Sequence, residues 1–362
     1  MRRLLVLLVP LLACCNNSPV GAPDSGPEAE AGPAAPYTQM LLDNARITSI
    51  SSMPNYQVAT ADVQLTGGPF ASVTLTVDLT STCYPFSNWA TDKPPAGQNW
   101  PADCDAYDRN FEMALLDPAN PTNPGLELVR AITPFGGPEE ITQDVTDAFN
   151  AIGSGDRTFQ ITIPTYSDGA GQVSGSNGGW NVSAQLAVVP GTPPRNVLSV
   201  QSLIYTSIPA AQSGMATSLP FTLPPGTATT TLEYRVTGHG GATDTTGECI
   251  GPADEFCERT HTLTMDGQPL ATMKPWRTNC ATFCTQETND AGYGPVGSYC
   301  EQNPCGEIAS VQAPRANWCP GSETAPFTYN PTLAPGDHTF AFTISTIAGN
   351  WRVSSTVYAY GN

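Results

Sequence analysis

Stretches in which apolar and polar residues alternate one for one recur along most of the chain. "SVTLTVDL" (72–79), "TFQITI" (158–163), "NVSAQLAVV" (181–189), "TTTLEYRV" (229–236), "THTLTMDG" (260–267), "HTFAFTIS" (338–345) and "RVSSTVYAYG" (352–361) all follow this pattern. A period of two puts every second side chain on one face of a strand, and the β-branched residues that fill these stretches favour strands further. Clusters of Gly, Pro, Asn and Asp lie between them and mark turns. A short helical pattern is confined to "DVTDAFNAI" (144–152), and no repeat of solenoid length is visible. The pattern predicts an all-β antiparallel chain with a sandwich or jelly roll in each half. "VPGTPPRN" (189–196), with three prolines and a glycine, is the expected break between the halves. The resulting domains are residues 41–192 and 193–362.

Composition adds limits. A chain of 362 residues can form two domains that each bury a core, and 33 glycines, 35 prolines and only 13% charged residues agree with frequent turns. A net charge of −18 argues against nucleic acid and anionic membrane surfaces as partners. Arg2 and Arg3, the apolar run "LLVLLVPLL" and the lipobox "LLAC" ending at Cys14 read as an export signal over residues 1–13, with Cys14 as the lipidated residue. The apolar run is too short for a permanent membrane span. Residues 14–40 read as a disordered tether, because "CNNSPVGAPDSGPEAEAGPAAP" has nothing to bury. The expected location is that of an exported bacterial lipoprotein, anchored in the periplasm or at the cell surface, with plain secretion as the alternative.

Eleven cysteines suit an oxidising compartment. Cys83 and Cys104 stand alone in the first half and are expected to pair. Seven more lie in the second half and read first as disulfides. A zinc site from Cys280, Cys284, Cys300 and Cys305 is the sharper alternative, and the odd count leaves one thiol over.

Metal-dependent chemistry is poorly supplied, since His239, His261 and His338 are few and scattered. No nucleophile elbow, Walker loop or dinucleotide fingerprint appears, so neither metal nor cofactor is expected. What remains is carboxylates, aromatics and a few arginines in cysteine-bounded loops. Sugars stack on aromatic rings and their chemistry runs on carboxylates, so these loops suit a glycan-handling site.

Three of the loops carry a resemblance. "CDAYDRNFEMALL" (104–116), "ADEFCERTHTLTM" (253–265) and "RANWCPG" (315–321) follow one another in the order and character of matching stretches in the peptide-N-glycosidase F family, with "GTP" (191–193) at the corresponding joint. The resemblance covers roughly residues 55–362. It implies two jelly rolls side by side with a metal-free active site in the cleft between them. Asp108 matches the family's main catalytic carboxylate and Glu255 the glutamate of the second domain. Arg109, Arg315, Trp318, Tyr166, Phe256 and His239 fall on the substrate-binding wall. The resemblance also implies the pairs Cys249–Cys257 and Cys280–Cys319.

The chain departs from the pattern at Pro164, where the family has a second glutamate. Tyr166, Phe256 and His239 stand in place of tryptophans, and the Cys83–Cys104 loop is longer. Asp168 is a candidate to substitute for the missing carboxylate. The implied function is hydrolysis of the amide between asparagine and the first GlcNAc of N-linked glycans. A non-catalytic glycan-binding lipoprotein of the same fold is the alternative. The expected partners are N-glycosylated proteins or glycopeptides, with no nucleic acid, contact with the membrane only through the lipid, and a monomeric state.

Overall fold

The computed structural model describes residues 35–117, 125–166, 175, 178–241 and 247–362. The signal segment, Cys14, most of the tether and Asp168 lie outside the described residues. The alternating stretches form two antiparallel β-sandwiches in sequence order. In the first, one sheet has the order Tyr37–Thr48, Gly179–Pro190, Phe70–Ser81, Glu139–Asp144. Strand Phe70–Ser81 turns Val73, Leu75, Val77 and Leu79 inward and leaves the intervening polar residues outside, as its alternation requires. The facing sheet contains Leu126–Ile132, Asn110–Leu115, Gly155–Thr162 and Val58–Leu65. Phe111, Met113, Phe159 and Ile161 from this sheet close the core.

The second sandwich packs the sheet Ala216–Leu223, Gly336–Ile344, His261–Met265, Gln268–Met273 against the sheet Phe327–Tyr329, Thr229–His239, Asn350–Tyr360, Val197–Pro209. Its core is built on Leu232, Tyr234, Val236, Phe340, Phe342, Trp351 and Val353.

The structure corrects four expectations. The tether does not reach residue 40, because Tyr37–Thr48 is already an edge strand paired along Gly179–Pro190. It buries little beyond Leu41 and Ile47, so its apolar signal is weak, while its backbone pairs along most of its length with irregularities between Met40 and Leu42 and between Leu42 and Ala45. The stretch 260–267 is a strand plus a turn: Asp266 and Gly267 have φ of 51° and 75°, and the chain folds back as Gln268–Met273. Two successive positive φ values are what an Asp-Gly hairpin turn supplies. A second short helix, Ile308–Gln312, joins Thr146–Ile152 and seats Val311 in the interior. The zinc alternative is excluded by pairing, since Cys280 bonds Cys319 and Cys284 bonds Cys300. Cys83–Cys104 and Cys249–Cys257 form as expected, leaving Cys305 as the free thiol among the described residues.

Two features lock the sandwiches together. Strand Ser322–Glu323, from the second half of the chain, pairs with Leu126–Ile132 and so extends a sheet of the first domain. Beside it, charged residues from both domains form a buried network. The Arg352 Nε and Nη2 donate to the two oxygens of Glu112 at 2.6 and 2.7 Å, and the Tyr205 hydroxyl donates to the same carboxylate. Arg130 donates to Glu127 at 2.8 and 2.9 Å and to the Arg352 carbonyl at 2.7 Å. Leu126–Ile132 is therefore buried along its whole length: Leu128, Val129 and Ala131 join the core while Glu127 and Arg130 meet the second domain.

Candidate active site

Asp108 lies in the loop immediately before strand Asn110–Leu115, held from both sides. The Tyr107 N–H donates to Asp105 Oδ1 at 3.2 Å, the Thr133 N–H donates to the Arg109 carbonyl at 2.8 Å, and the Arg109 N–H donates to the Thr133 hydroxyl at 2.9 Å. The carboxyl is partly exposed but crowded by protein. Burial raises its pKa to about 6; Arg315 and Arg109 pull it down and Glu255 pushes it up. These are the residues that sequence reasoning assigned to the site, and the fold brings them together from both domains.

Glu255 sits in a one-turn helix, Asp254–Phe256, whose neighbours fix it. Asp254 turns inward, accepting from Arg259 at 2.7 Å and from the N–H groups of Ala348 and Gly349 at 2.8 Å each. Glu255 turns outward with 28% of its side chain exposed. Cys249–Cys257 closes the loop around it, and its carbonyl accepts from Ala316 at 2.8 Å. Burial raises the pKa of Glu255, and Arg315 opposes the rise.

Arg315 is almost wholly buried and links this helix to the loop after Ile308–Gln312. It donates to Glu255 Oε1 at 3.3 Å and to the carbonyl and hydroxyl of Ser310 at 2.9 and 3.0 Å. Its guanidinium carbon lies 4.5 Å from the ring centres of both Phe256 and Trp318, a cation–π sandwich that sets its plane. Trp318 donates to the Gly238 carbonyl at 2.8 Å, and His239 stacks on it at 5.6 Å. Burial and the charges of Arg130, Arg352 and Arg315 push His239 down to about 3, so its ring is neutral and accompanies the tryptophan as a flat surface. Cys280–Cys319 ties down the residue after Trp318.

Arg109 pairs with Asp105, its Nε lying 3.0 and 3.1 Å from the two oxygens, and it covers the Tyr107 ring at 5.2 Å. Its Nη2 is buried with no acceptor among the described residues, and so is the Nε of Arg315. Each is a buried N–H with hydrogen-bonding capacity to spare among the described residues. Pro164 and Tyr166 are exposed while Thr165 between them is buried. Tyr166 makes no hydrogen bond or ring contact among the described residues, so the structure gives it exposure but no tie to the carboxylates. His261 packs in the core against Trp351 and His338 lies at the surface with Asp266, so neither belongs to the site.

Sequence reasoning missed the residues that aim this cluster: Asp105, Ser310 and Asp254. Asp105 and Asp254 each stand inside a quoted motif, but an aspartate that turns inward to hold an arginine has the same one-letter signal as one that turns outward.

Residues 207–358 match the family model described as Peptide-N-glycosidase F, C terminal. No curated protein sequence matches the chain. Among solved structures, the chain is similar to PNGF-II at a TM-score of 0.66 and 19% identity, covering 90% of this chain and 65% of that one. It therefore spans about two thirds of the length of PNGF-II. It is also similar to PNGase F, a glycosylasparaginase from Flavobacterium meningosepticum, at a TM-score of 0.62 and 18% identity, covering 91% of this chain and 97% of that one. The second domain thus matches the C-terminal domain model of the peptide-N-glycosidase F family, and the two-sandwich fold as a whole is the one seen in PNGase F.

Proposed function

We propose that the chain is a glycosylasparagine amidase that hydrolyses the amide between asparagine and the first GlcNAc of N-linked glycans. The observation that carries the reading is the meeting of Asp108 and Glu255 across the domain joint, with two arginines beside them. Like charges at short range resist joint ionisation, so two such carboxyls separate into a proton acceptor and a proton donor. Asp108, at about 6, is mostly ionised at neutral pH and takes a proton from water. The water oxygen bonds to the side-chain carbonyl carbon of the asparagine. The oxyanion that forms is met by the spare donors of Arg109 and Arg315. The carbon–nitrogen bond then breaks, and the departing glycosylamine nitrogen takes its proton from Glu255. The products are an aspartyl peptide and a glycosylamine.

The exposed ring of Tyr166 and the partly exposed Phe256 suit stacking against sugar faces, while the buried Trp318, covered by Arg315 and by His239, backs the arginine rather than meeting the sugar. N-glycosylated proteins or glycopeptides are then the substrates, and export as a lipoprotein would bring the enzyme to them outside the cytoplasm. The test is incubation with a denatured N-glycoprotein followed by mass spectrometry of peptides and glycans. The expected result is free glycan and aspartate at the former asparagine. Intact glycopeptide at high protein loading, with glycan still bound, would instead establish a binding protein.

A further inference from the structure

Cys305 comes from the second half of the chain but packs on the first domain. Its N–H donates to the Phe135 carbonyl at 3.0 Å, and its sulfur and those of Cys83 and Cys104 all lie within 4.8 Å of one another. The three share one small apolar cluster with Ala106 and Trp100. Gly136 keeps them close: a Cβ there would stand 2.6 Å from the Cys305 sulfur and 2.8 and 3.0 Å from the Cβ and sulfur of Cys83. A free thiol is thus held against a disulfide of the other domain, with no side chain in the space where it meets Cys83.

We propose that Cys305 is a built-in exchange partner for the Cys83–Cys104 disulfide. The Cys305 thiolate attacks the Cys83 sulfur; a Cys83–Cys305 bond forms as the Cys83–Cys104 bond breaks. Cys104 leaves as the thiolate and takes up the proton that Cys305 gave to solvent. One disulfide and one thiol stand on each side of the step, so neither oxidant nor reductant is consumed. The new bond stitches the two domains together covalently and releases Cys104, whose neighbour Asp105 holds Arg109. The inference rests on the sulfur geometry and is independent of the proposed hydrolysis.

Burial, and after it the charge of Asp105, hold the Cys305 thiol well above its ordinary range. Asp105 is itself paired with Arg109 and feels Arg46. The thiol is therefore at rest near neutrality, and alkaline conditions are needed to arm it.

The experiment holds the full-length chain without reductant in a series of increasingly alkaline buffers, up to the highest pH at which the fold persists, and takes samples over time. Each is quenched in acid, labelled with N-ethylmaleimide, digested and mapped by mass spectrometry, with circular dichroism recorded in parallel. The expected result is transfer of the label from Cys305 to Cys104 and appearance of a Cys83–Cys305 cross-linked peptide. The circular dichroism and the other three disulfides are expected to stay unchanged. Label that remains on Cys305 overturns the proposal. So does label on Cys83, scrambling among all cysteines, or transfer only as the fold is lost. Cys305→Ser is expected to keep Cys83–Cys104 closed under the same treatment; label reaching Cys104 in that variant assigns the attack to another thiol and overturns the proposal as well.

Discussion

Arg109 forms its ion pair with Asp105, 3.0 Å away, and not with Asp108 beside it in sequence. The pairing fixes the Arg109 guanidinium and leaves Asp108 outside any ion pair at contact distance among the described residues, though the charges of Arg315 and Arg109 still act on it. Asp105→Asn removes the only formal charge among the described residues that Arg109 contacts at ion-pair distance. Breaking one side of a buried pair costs about 3–5 kcal/mol, so the urea midpoint is expected to fall sharply. Asp105→Glu, which keeps the charge, is expected to recover part of the loss.

Asp108→Asn is expected to lower turnover by about 10²–10⁴-fold, the usual contribution of a positioned acid or base. Its effect on stability has the opposite sign. The folded protein holds the Asp108 proton up to about 6, against about 3.9 in an unfolded chain, so ionising this carboxyl costs stability as pH rises between those values. Asparagine avoids that cost. Thermal unfolding should show the variant more stable than the parent at neutral pH, with the gap closing in acid. A variant less stable at neutral pH would contradict the placement of Asp108.

Histidine is not expected to shape the pH profile near neutrality. Burial, with nearby arginines, pushes His239 to about 3, and burial alone does the same to His261. At His338 burial favours the neutral ring, but hydrogen bonds to the Ala334 carbonyl and Asp266 outweigh it and raise its pKa. Imidazole NMR signals should show one histidine titrating above its ordinary value and two neutral well into the acid range. The kcat/KM profile should rise with pH through about 6, following Asp108.

Arg352→Ala is expected to destabilise the protein by about 3–5 kcal/mol, because it strands the Glu112 carboxylate in the domain interface. Replacing both by apolar residues of similar volume, Glu112→Leu with Arg352→Met, is expected to restore much of that loss. Denaturant unfolding of both single variants and the double variant closes the cycle; purely additive losses would mean the pair does not interact.

The fold was legible where one face of a strand is wet and the other dry. Phe70–Ser81 and Gly179–Pro190 carry that contrast residue by residue. It fades in Leu126–Ile132, where the second domain covers the outer face, and in Tyr37–Thr48, where an edge strand buries little. The cluster itself was legible through the motifs around Asp108, Glu255 and Arg315. Its supports were less so: Ser310 reaches Arg315 only because the short helix Ile308–Gln312 bends the chain under it. Glu112 and Arg352 are 240 positions apart, and no local pattern announces a pair at that separation.

Because Ser322–Glu323 completes a sheet that belongs to the other half of the chain, the connection at 191–196 is not what keeps the halves together. A single cut in that connection should leave a nicked protein that migrates as one particle under native conditions and melts in one transition. Two fragments produced apart, one ending and one beginning at the cut, would each lack something. The first would have a sheet short of its last rung, and the second a two-residue rung with no sheet to join. Catalytic competence in such a pair would be a property of their reunion, appearing only on mixing.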